Sequence, residues 1–350
     1  MRLEEAVKSV KALDAQAMER AMQRWDNIAK PLRSLGKMET IITRIAGMTG
    51  DAGVHFEKKA LVAMCADNGV VEEGVTQSPQ DITALCANNF VAGITTVCEM
   101  CKYCGVDLFP VDAGMVVDTN VRTDLKVAYG TKNMTKGPAM TREEAVKSLE
   151  AGIAMAVELK EKGYQMLATG EMGIGNTTTS SAVASVLLDQ PVESMTGRGA
   201  GLTSEGLVRK INAIKKAIEV NQPDPSDAID VLAKVGGFDI GGMAGVFLGG
   251  AALGMPVVID GFISCVAALI AKSICPAAGD YMIASHVSKE PAAHLILDHM
   301  GLSPVLHADM CLGEGTGAVA MIQFLDLAAH IYHSMSTFAD YNMDNYVELK

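Results

Sequence analysis

Four short apolar runs in this chain each stop at an acidic or glycine-bearing turn, and that recurrence narrows the possible folds more than any other feature. Residues 60–66 stop at Asp67-Asn68-Gly69, and residues 106–111 at Asp112-Ala113-Gly114. Residues 164–168 stop at Gly170-Glu171, and residues 256–259 at Asp260-Gly261. Helix-length segments separate them. Apolar runs without polar alternation suit strands buried on both faces, and such strands joined by helices form a parallel sheet. The expected fold class is α/β, a Rossmann-like parallel sheet flanked by helices. In such sheets ligands collect beyond the carboxyl ends of the strands, so the four turns are the first site candidates.

Residues 1–50 read as helices with a basic, proline-containing break at Lys30-Pro31-Leu32-Arg33-Ser34-Leu35-Gly36. The segment from Asp326 onward begins as a helix and then turns polar. The expected organisation is a small helical domain built from the chain ends, residues 1–50 and 326–350, beside a large α/β catalytic domain, residues 51–325. A chain of 350 residues can bury such a core without staples. Its 41 acidic and 29 basic residues give a net charge of −12, which lacks the electrostatic footprint of a nucleic-acid or anionic-membrane binder. The charged, helix-periodic amino terminus shows no secretory signal, so the expected location is cytoplasmic. Residues 241–259 are uncharged and glycine-rich, contain Pro256 and lie between Asp239 and Asp260; they read as buried core and not as a membrane span.

The eight cysteines read as reduced thiols. Cys98, Cys101 and Cys104 match part of an iron–sulfur ligand set, but the fourth nearby cysteine and its proline are missing. Their spacing also places them on neighbouring positions of a helix, where cysteine packs as a small hydrophobe. His294 and His299, and His330 and His333, lack a nearby third ligand, so no metal is expected.

Three glycine-rich loops carry the candidate chemistry. In Gly170-Glu171-Met172-Gly173-Ile174-Gly175-Asn176-Thr177-Thr178-Thr179-Ser180-Ser181 the glycines allow close backbone approach. The hydroxyl residues can cap a following helix whose free N–H groups attract phosphate. Glu171 is the odd member, because a carboxylate beside a phosphate needs a cation or ribose hydroxyls on the same ligand to offset it. The second loop, Thr196 to Leu202, leads into a helix at residues 204–220 carrying Arg209, Lys210, Lys215 and Lys216. Lys210 lies close in sequence to those glycines and could neutralise a phosphate, while Lys215 and Lys216 read as a solvated face. In the third loop Glu314 stands between Gly313 and Gly315, a setting that suits a general base. Neither GxxxxGK[ST] nor GxSxG is present. Two incomplete GxGxxG starts, with Glu193 about twenty residues beyond the first, leave a dinucleotide-dependent oxidoreductase open. A non-catalytic nucleotide-binding protein is the other alternative.

Taken in order, several segments resemble the nicotinate-nucleotide:dimethylbenzimidazole phosphoribosyltransferase family. They are Ala66-Asp67-Asn68-Gly69-Val70, Glu73-Gly74-Val75, Pro79-Gln80, Gly170 to Thr178, Gly197-Arg198-Gly199 and Lys210. Asp260-Gly261-Phe262-Ile263-Ser264, Ser285-His286-Val287-Ser288, Glu290-Pro291 and Gly313-Glu314-Gly315-Thr316-Gly317 complete the set. The resemblance implies transfer of the 5-phosphoribosyl group of nicotinate mononucleotide to a lower-ligand base of cobamides, giving the α-riboside 5′-phosphate and nicotinate. Nicotinate leaves as a neutral ring nitrogen, so the reaction needs a better nucleophile more than a better leaving group. By resemblance, Glu314 removes the azole proton as the base attacks C1′ from the opposite face. Backbone amides of Gly173, Ile174, Gly175, Asn176, Thr177 and Thr178 hold the phosphate with Lys210, and Glu171 lies near the ribose or pyridinium. Gly199 and Met172 belong to the same substrate-binding set, and Gln77, Leu85 and Ser288 border the acceptor pocket. No cofactor is implied, and the implied assembly is a homodimer, although some relatives pair unlike subunits. The family often has His where Asn68 stands, and residues near Pro31, Gln77 and Leu85 also depart from it. The acceptor is therefore left open among dimethylbenzimidazole, adenine and phenolic compounds.

Overall fold

In the computed structural model, which describes residues 1–347, five strands pair in parallel throughout. They are β1 (Lys59–Ala66), β2 (Val106–Gly114), β3 (Met166–Met172), β4 (Val257–Ile259) and β5 (Met282–Ala284), in the order β2-β1-β3-β4-β5. Every residue of β1 is buried, as a strand covered on both faces requires. The order runs outward from β1 to β2 and returns across β1 to β3, so the topological switch lies between β1 and β3.

Helices α1 (Leu3–Ser9), α2 (Ala15–Asn27) and α3 (Lys37–Thr49) precede the sheet, and α4 (Ile82–Ala92) and α5 (Thr96–Cys104) join β1 to β2. Helix α6 (Arg142–Glu161) leads to β3. Between β3 and β4 lie α7 (Asn176–Leu187), α8 (Val192–Met195), α9 (Ser204–Asn221), α10 (Ala228–Val235) and α11 (Phe238–Ala252). Helix α12 (Phe262–Ile274) joins β4 to β5, and α13 (Ala292–Met300) and α14 (Thr316–Ser334) follow. A Cβ on Gly242 of α11 would meet Met64, and one on Gly315 at the start of α14 would meet Leu61. Side chains three apart on a strand point to opposite faces, so α11 and α14 cover opposite sides of the sheet. Small residues let α11 lie directly on α6: a Cβ on Gly245 would collide with the carbonyl oxygen of Leu149.

The uncharged run between Asp239 and Asp260 is thus α11 plus β4, buried nearly throughout. The stretch Ile82–Cys104 is apolar enough in composition for a membrane span. However, the left-handed Gly93 (φ +72°) and the Thr95 cap divide it into α4 and α5, each well short of the roughly 20 residues a span needs.

Several boundaries differ from the sequence expectation. Strand β3 continues through Gly170, Glu171 and Met172, so Glu171 stands on the sheet and not in the turn. Helix α7 begins at Asn176, and its N-cap is Gly175 (φ +93°), which has no capping side chain. The hydroxyl residues expected to cap the helix lie inside it, Ser181 and Ser185 bonding back to the carbonyls of Thr177 and Ser181. Strand β5 was not expected from sequence: it is no shorter than β4, but it runs into Ser285-His286 and not into an acidic or glycine-bearing turn. At the chain ends, Arg24 donates to the carbonyls of Tyr332 and Met335, and Ile28 bridges to Thr337. The boundary expected at residue 326 falls inside the continuous helix α14, and α1 packs on α6 and α11. Residues 348–350, the tip of the expected small domain, lie outside the described residues.

Candidate active site

A cleft of about 220 Å³ opens beyond the carboxyl ends of β3, β4 and β5. One end is built by the turn from β3 into α7. There the amides of Ile174, Asn176 and Thr178 are bonded to Thr83 Oγ1, the Gly173 carbonyl and the Gly175 carbonyl. Those of Gly175 and Thr177 find no acceptor among the described residues. Gly199 (φ +53°) closes over this turn, its position leaving only 2.9 Å between an added Cβ and Thr177 Oγ1. Lys210 reaches in from α9, fully buried, and donates to Thr177 Oγ1 at 2.8 Å and the Gly197 carbonyl at 3.2 Å. Burial lowers its pKa to about 8, against the opposing charge of Glu290. A buried ammonium with a proton to spare beside two free amides at a helix N-terminus is an arrangement that could hold an anion.

Next to the cradle, Asn176 Nδ2 donates to Glu171 Oε2 and to Asp239 Oδ2, the latter at 3.0 Å. One amide therefore ties together two buried carboxyls. Burial, reinforced by Asp239, raises Glu171 to about 8, and burial raises Asp239 to about 6. Glu171 thus holds a proton at neutral pH, and a cation placed against it would favour its release.

Across the cleft Gly313, Glu314 and Gly315 all adopt left-handed backbone, with φ of +84°, +62° and +96°. For the glutamate that conformation costs about 1–2 kcal/mol. It is fixed on one side by its own N–H, which donates to Glu171 Oε1 at 3.4 Å. On the other side Asp260 accepts from the amides of Gly315, Gly317 and Ala318 at 3.1, 2.7 and 3.2 Å. Burial raises the Glu314 pKa, opposed by the Val97 N–H at the start of α5 and supported by Asp260. Cys86 of α4 also feels the Glu314 charge, so this carboxyl faces the α4–α5 pair.

Of the residues singled out from sequence, Glu171, Met172, Gly173, Ile174, Asn176, Thr177, Gly199, Ser288 and Glu314 line this cleft. Gly175 and Gln77 line an adjoining recess, where Gln77 Nε2 donates to the Gly201 carbonyl. Lys210 lies behind Thr177. Thr178 is buried within α7, its amide spent on Gly175, and it lines neither space. Leu85 is 54% exposed on α4 and stands outside both linings. The Asp260 turn, a site candidate from its place after an apolar run, does line the cleft, whereas Asp239, His286 and Glu290 were given no role from sequence. The signal for Asp239 was its place at the start of an uncharged run. Cys98, Cys101 and Cys104 form the buried face of α5, and burial pushes the Cys101 thiol up to about 12.

The family described as Phosphoribosyltransferase matches residues 10–342. The chain is similar to the nicotinate-nucleotide–dimethylbenzimidazole phosphoribosyltransferase of Ruminiclostridium cellulolyticum, at 48% identity over 100% of both chains. It is also similar to that of Acetivibrio thermocellus, at 47% identity over 98% of each. Among solved structures, CobT from Thermus thermophilus matches with a TM-score of 0.89 and 37% identity, covering 94% of this chain and 99% of that one. The residues matched include the sheet, Lys210 and the Glu314 loop, and the chain belongs to the nicotinate-nucleotide–dimethylbenzimidazole phosphoribosyltransferase family.

Proposed function

We propose that this enzyme transfers the 5-phosphoribosyl group of nicotinate mononucleotide to a cobamide lower-ligand base, with the Lys210 cradle and Glu314 at the two ends of one cleft as the observation that carries the reading. The 5′-phosphate sits on the α7 amides, Gly199 and Lys210. The pyridinium lies toward Glu171, whose proton it displaces, so the acid beside the phosphate cradle is matched by the cation on the same substrate. The acceptor enters beside Glu314, which takes the azole proton. The freed nitrogen lone pair attacks C1′, and the C1′–pyridinium bond breaks with its electrons going to the ring nitrogen, giving neutral nicotinate and an inverted, α-configured product. A raised carboxyl pKa makes Glu314 a better proton acceptor, and such assistance is typically worth about 10²–10⁴-fold. Glu171 serves to position the donor.

The apolar face of α4 and its surroundings supports a homodimer: Leu85, Val91 and Ile94 are exposed there, and Tyr103 on α5 is 86% exposed. The contacts among α2, α3 and the end of α14 support treating the chain ends as one small helical unit. A phosphorylated nucleotide substrate and eight free cysteines support a cytoplasmic location, and the net charge of −12 supports small molecules and not nucleic acid as ligands. Purified protein given nicotinate mononucleotide and dimethylbenzimidazole should release nicotinate. Absence of release with that base, adenine, phenol and p-cresol alike would overturn the reading, and hydride transfer with NAD would replace it by an oxidoreductase.

A further inference from the structure

We infer that Asp260 is the positioning residue that sets Glu314 for proton abstraction, by clamping the first turn of α14 and the Glu314–Gly315 peptide ahead of it. This rests on Glu314 being the base. Helix α14 has Gly315 at its N-cap and therefore no capping side chain of its own. Its first amides are instead satisfied by Asp260, at the end of β4, in three hydrogen bonds of 2.7–3.2 Å. An anion there also meets the positive end of the helix dipole.

Asp260 is itself held rigidly. Its amide donates to Ser264 Oγ at 3.1 Å, and its carbonyl accepts from Ser285 Oγ at 3.2 Å. Gly317 lets α14 come this close, since a Cβ there would collide with His286 Nδ1. The bond from the Gly315 amide to Asp260 Oδ2 fixes the peptide that immediately follows Glu314. With the Glu314 amide on Glu171, both peptides flanking the base are tied to strand ends, which offsets the cost of its left-handed backbone.

The clamp is charged, and its charge acts on the base. The titratable groups facing Glu314 are Glu171 from β3, Asp260 from β4 and Cys86 from α4, while α5 contributes the Val97 amide. His286, beside Asp260, is kept neutral chiefly by its own burial. Asp260 raises the proton affinity of Glu314, so replacing it with a neutral residue of the same shape should lower that affinity as well as loosen the loop.

The test is Asp260→Asn in the full-length enzyme, with Asp260→Ala as the stronger lesion and Glu314→Gln as the check on the premise. With saturating dimethylbenzimidazole, kcat of Asp260→Asn should fall roughly tenfold to a hundredfold, as expected for a small misplacement of a reacting group. KM for nicotinate mononucleotide should stay within about threefold, because the phosphate cradle is built from other elements. The acid limb of the kcat–pH profile should move to lower pH. Wild-type kcat with an unmoved acid limb overturns the inference, and so does a loss of kcat matched by an equal loss of nucleotide binding. Full turnover by Glu314→Gln would instead overturn the premise that Glu314 is the base.

Discussion

Replacing Gly170 by alanine tests whether the Glu314 loop must seat directly on β3. Gly170 lies inside the strand with no positive φ, so alanine suits its backbone and even restricts the unfolded chain. The obstacle is contact alone. A Cβ at this position would stand 2.5 Å from the Glu314 carbonyl oxygen, 2.8 Å from its carbon and 3.1 Å from the Gly315 nitrogen. All three are backbone atoms and cannot swing aside as a side-chain tip would. To reach ordinary contact at roughly 3.4 Å the loop must retreat by about 0.9 Å. Displacing a reacting group by about 1 Å can cost about a hundredfold in rate. Overpacking of this kind destabilises by roughly 1–3 kcal/mol, which leaves a domain of ordinary stability folded at 25 °C. Steady-state nicotinate release with saturating dimethylbenzimidazole should therefore show kcat down about a hundredfold. The melting temperature should fall by only a few degrees, and nicotinate mononucleotide binding by calorimetry should change far less than kcat. A Gly170→Ala enzyme with kcat within about twofold of wild type would refute the claim that the loop is pinned against the strand.

Glu314→Gln should keep nucleotide binding and lose about 10²–10⁴-fold in turnover with azole acceptors, measured by single-turnover nicotinate release; unchanged turnover excludes it as the base. Lys210 titrates at about 8 in the free enzyme, and a bound phosphate favours its ammonium form. Nicotinate mononucleotide affinity should thus decline as pH rises above 8, while Lys210→Met should bind weakly with a flatter pH dependence; equal slopes would remove Lys210 from the cradle. Glu171 is raised to about 8 in the folded protein, above its ordinary 4.5, so its contribution to stability is full below the unfolded pKa and is lost as pH rises through 8. Urea unfolding at pH 5 and pH 8.5 should show a smaller loss for Glu171→Gln than for wild type, and identical losses would show that Glu171 is not held protonated.

The strand ends were legible because each joins an apolar run to an acid or glycine that no strand interior would favour. Strand β1 ends just before Asp67 as that pattern implies, whereas β2 runs on through Asp112 to Gly114, so the pattern placed the strand but not its last residues. The start of α7 was hidden by Thr177 to Ser181, which read as a loop on composition. In the fold Thr178 to Ser181 are buried in a helix where Thr179 and Ser181 bond back to its own carbonyls, an option visible only once neighbouring elements exclude water. Asp260 illustrates a deeper limit. Its partners, the amides of Gly315, Gly317 and Ala318, belong to a different helix, and nothing in the local pattern around Asp260 announces that it caps anything but its own α12. Glu171 was legible as an acid in the wrong place, but its raised pKa comes first from burial and then from Asp239, which Asn176 ties to it in the fold.

The two halves of the cleft are anchored differently. The donor cradle stands on β3 and the buried Lys210, whereas the Glu314 carboxyl faces α4 and α5, helices with open outer surfaces and no strand between them. A substitution on α4 perturbs a partly exposed helix, where most changes shift stability by only about 0.5 kcal/mol. A substitution in the cradle strands a buried ammonium or an unpaired amide. A change on the side of the cleft that Glu314 faces is thus cheaper for the fold than one on the side that holds Lys210.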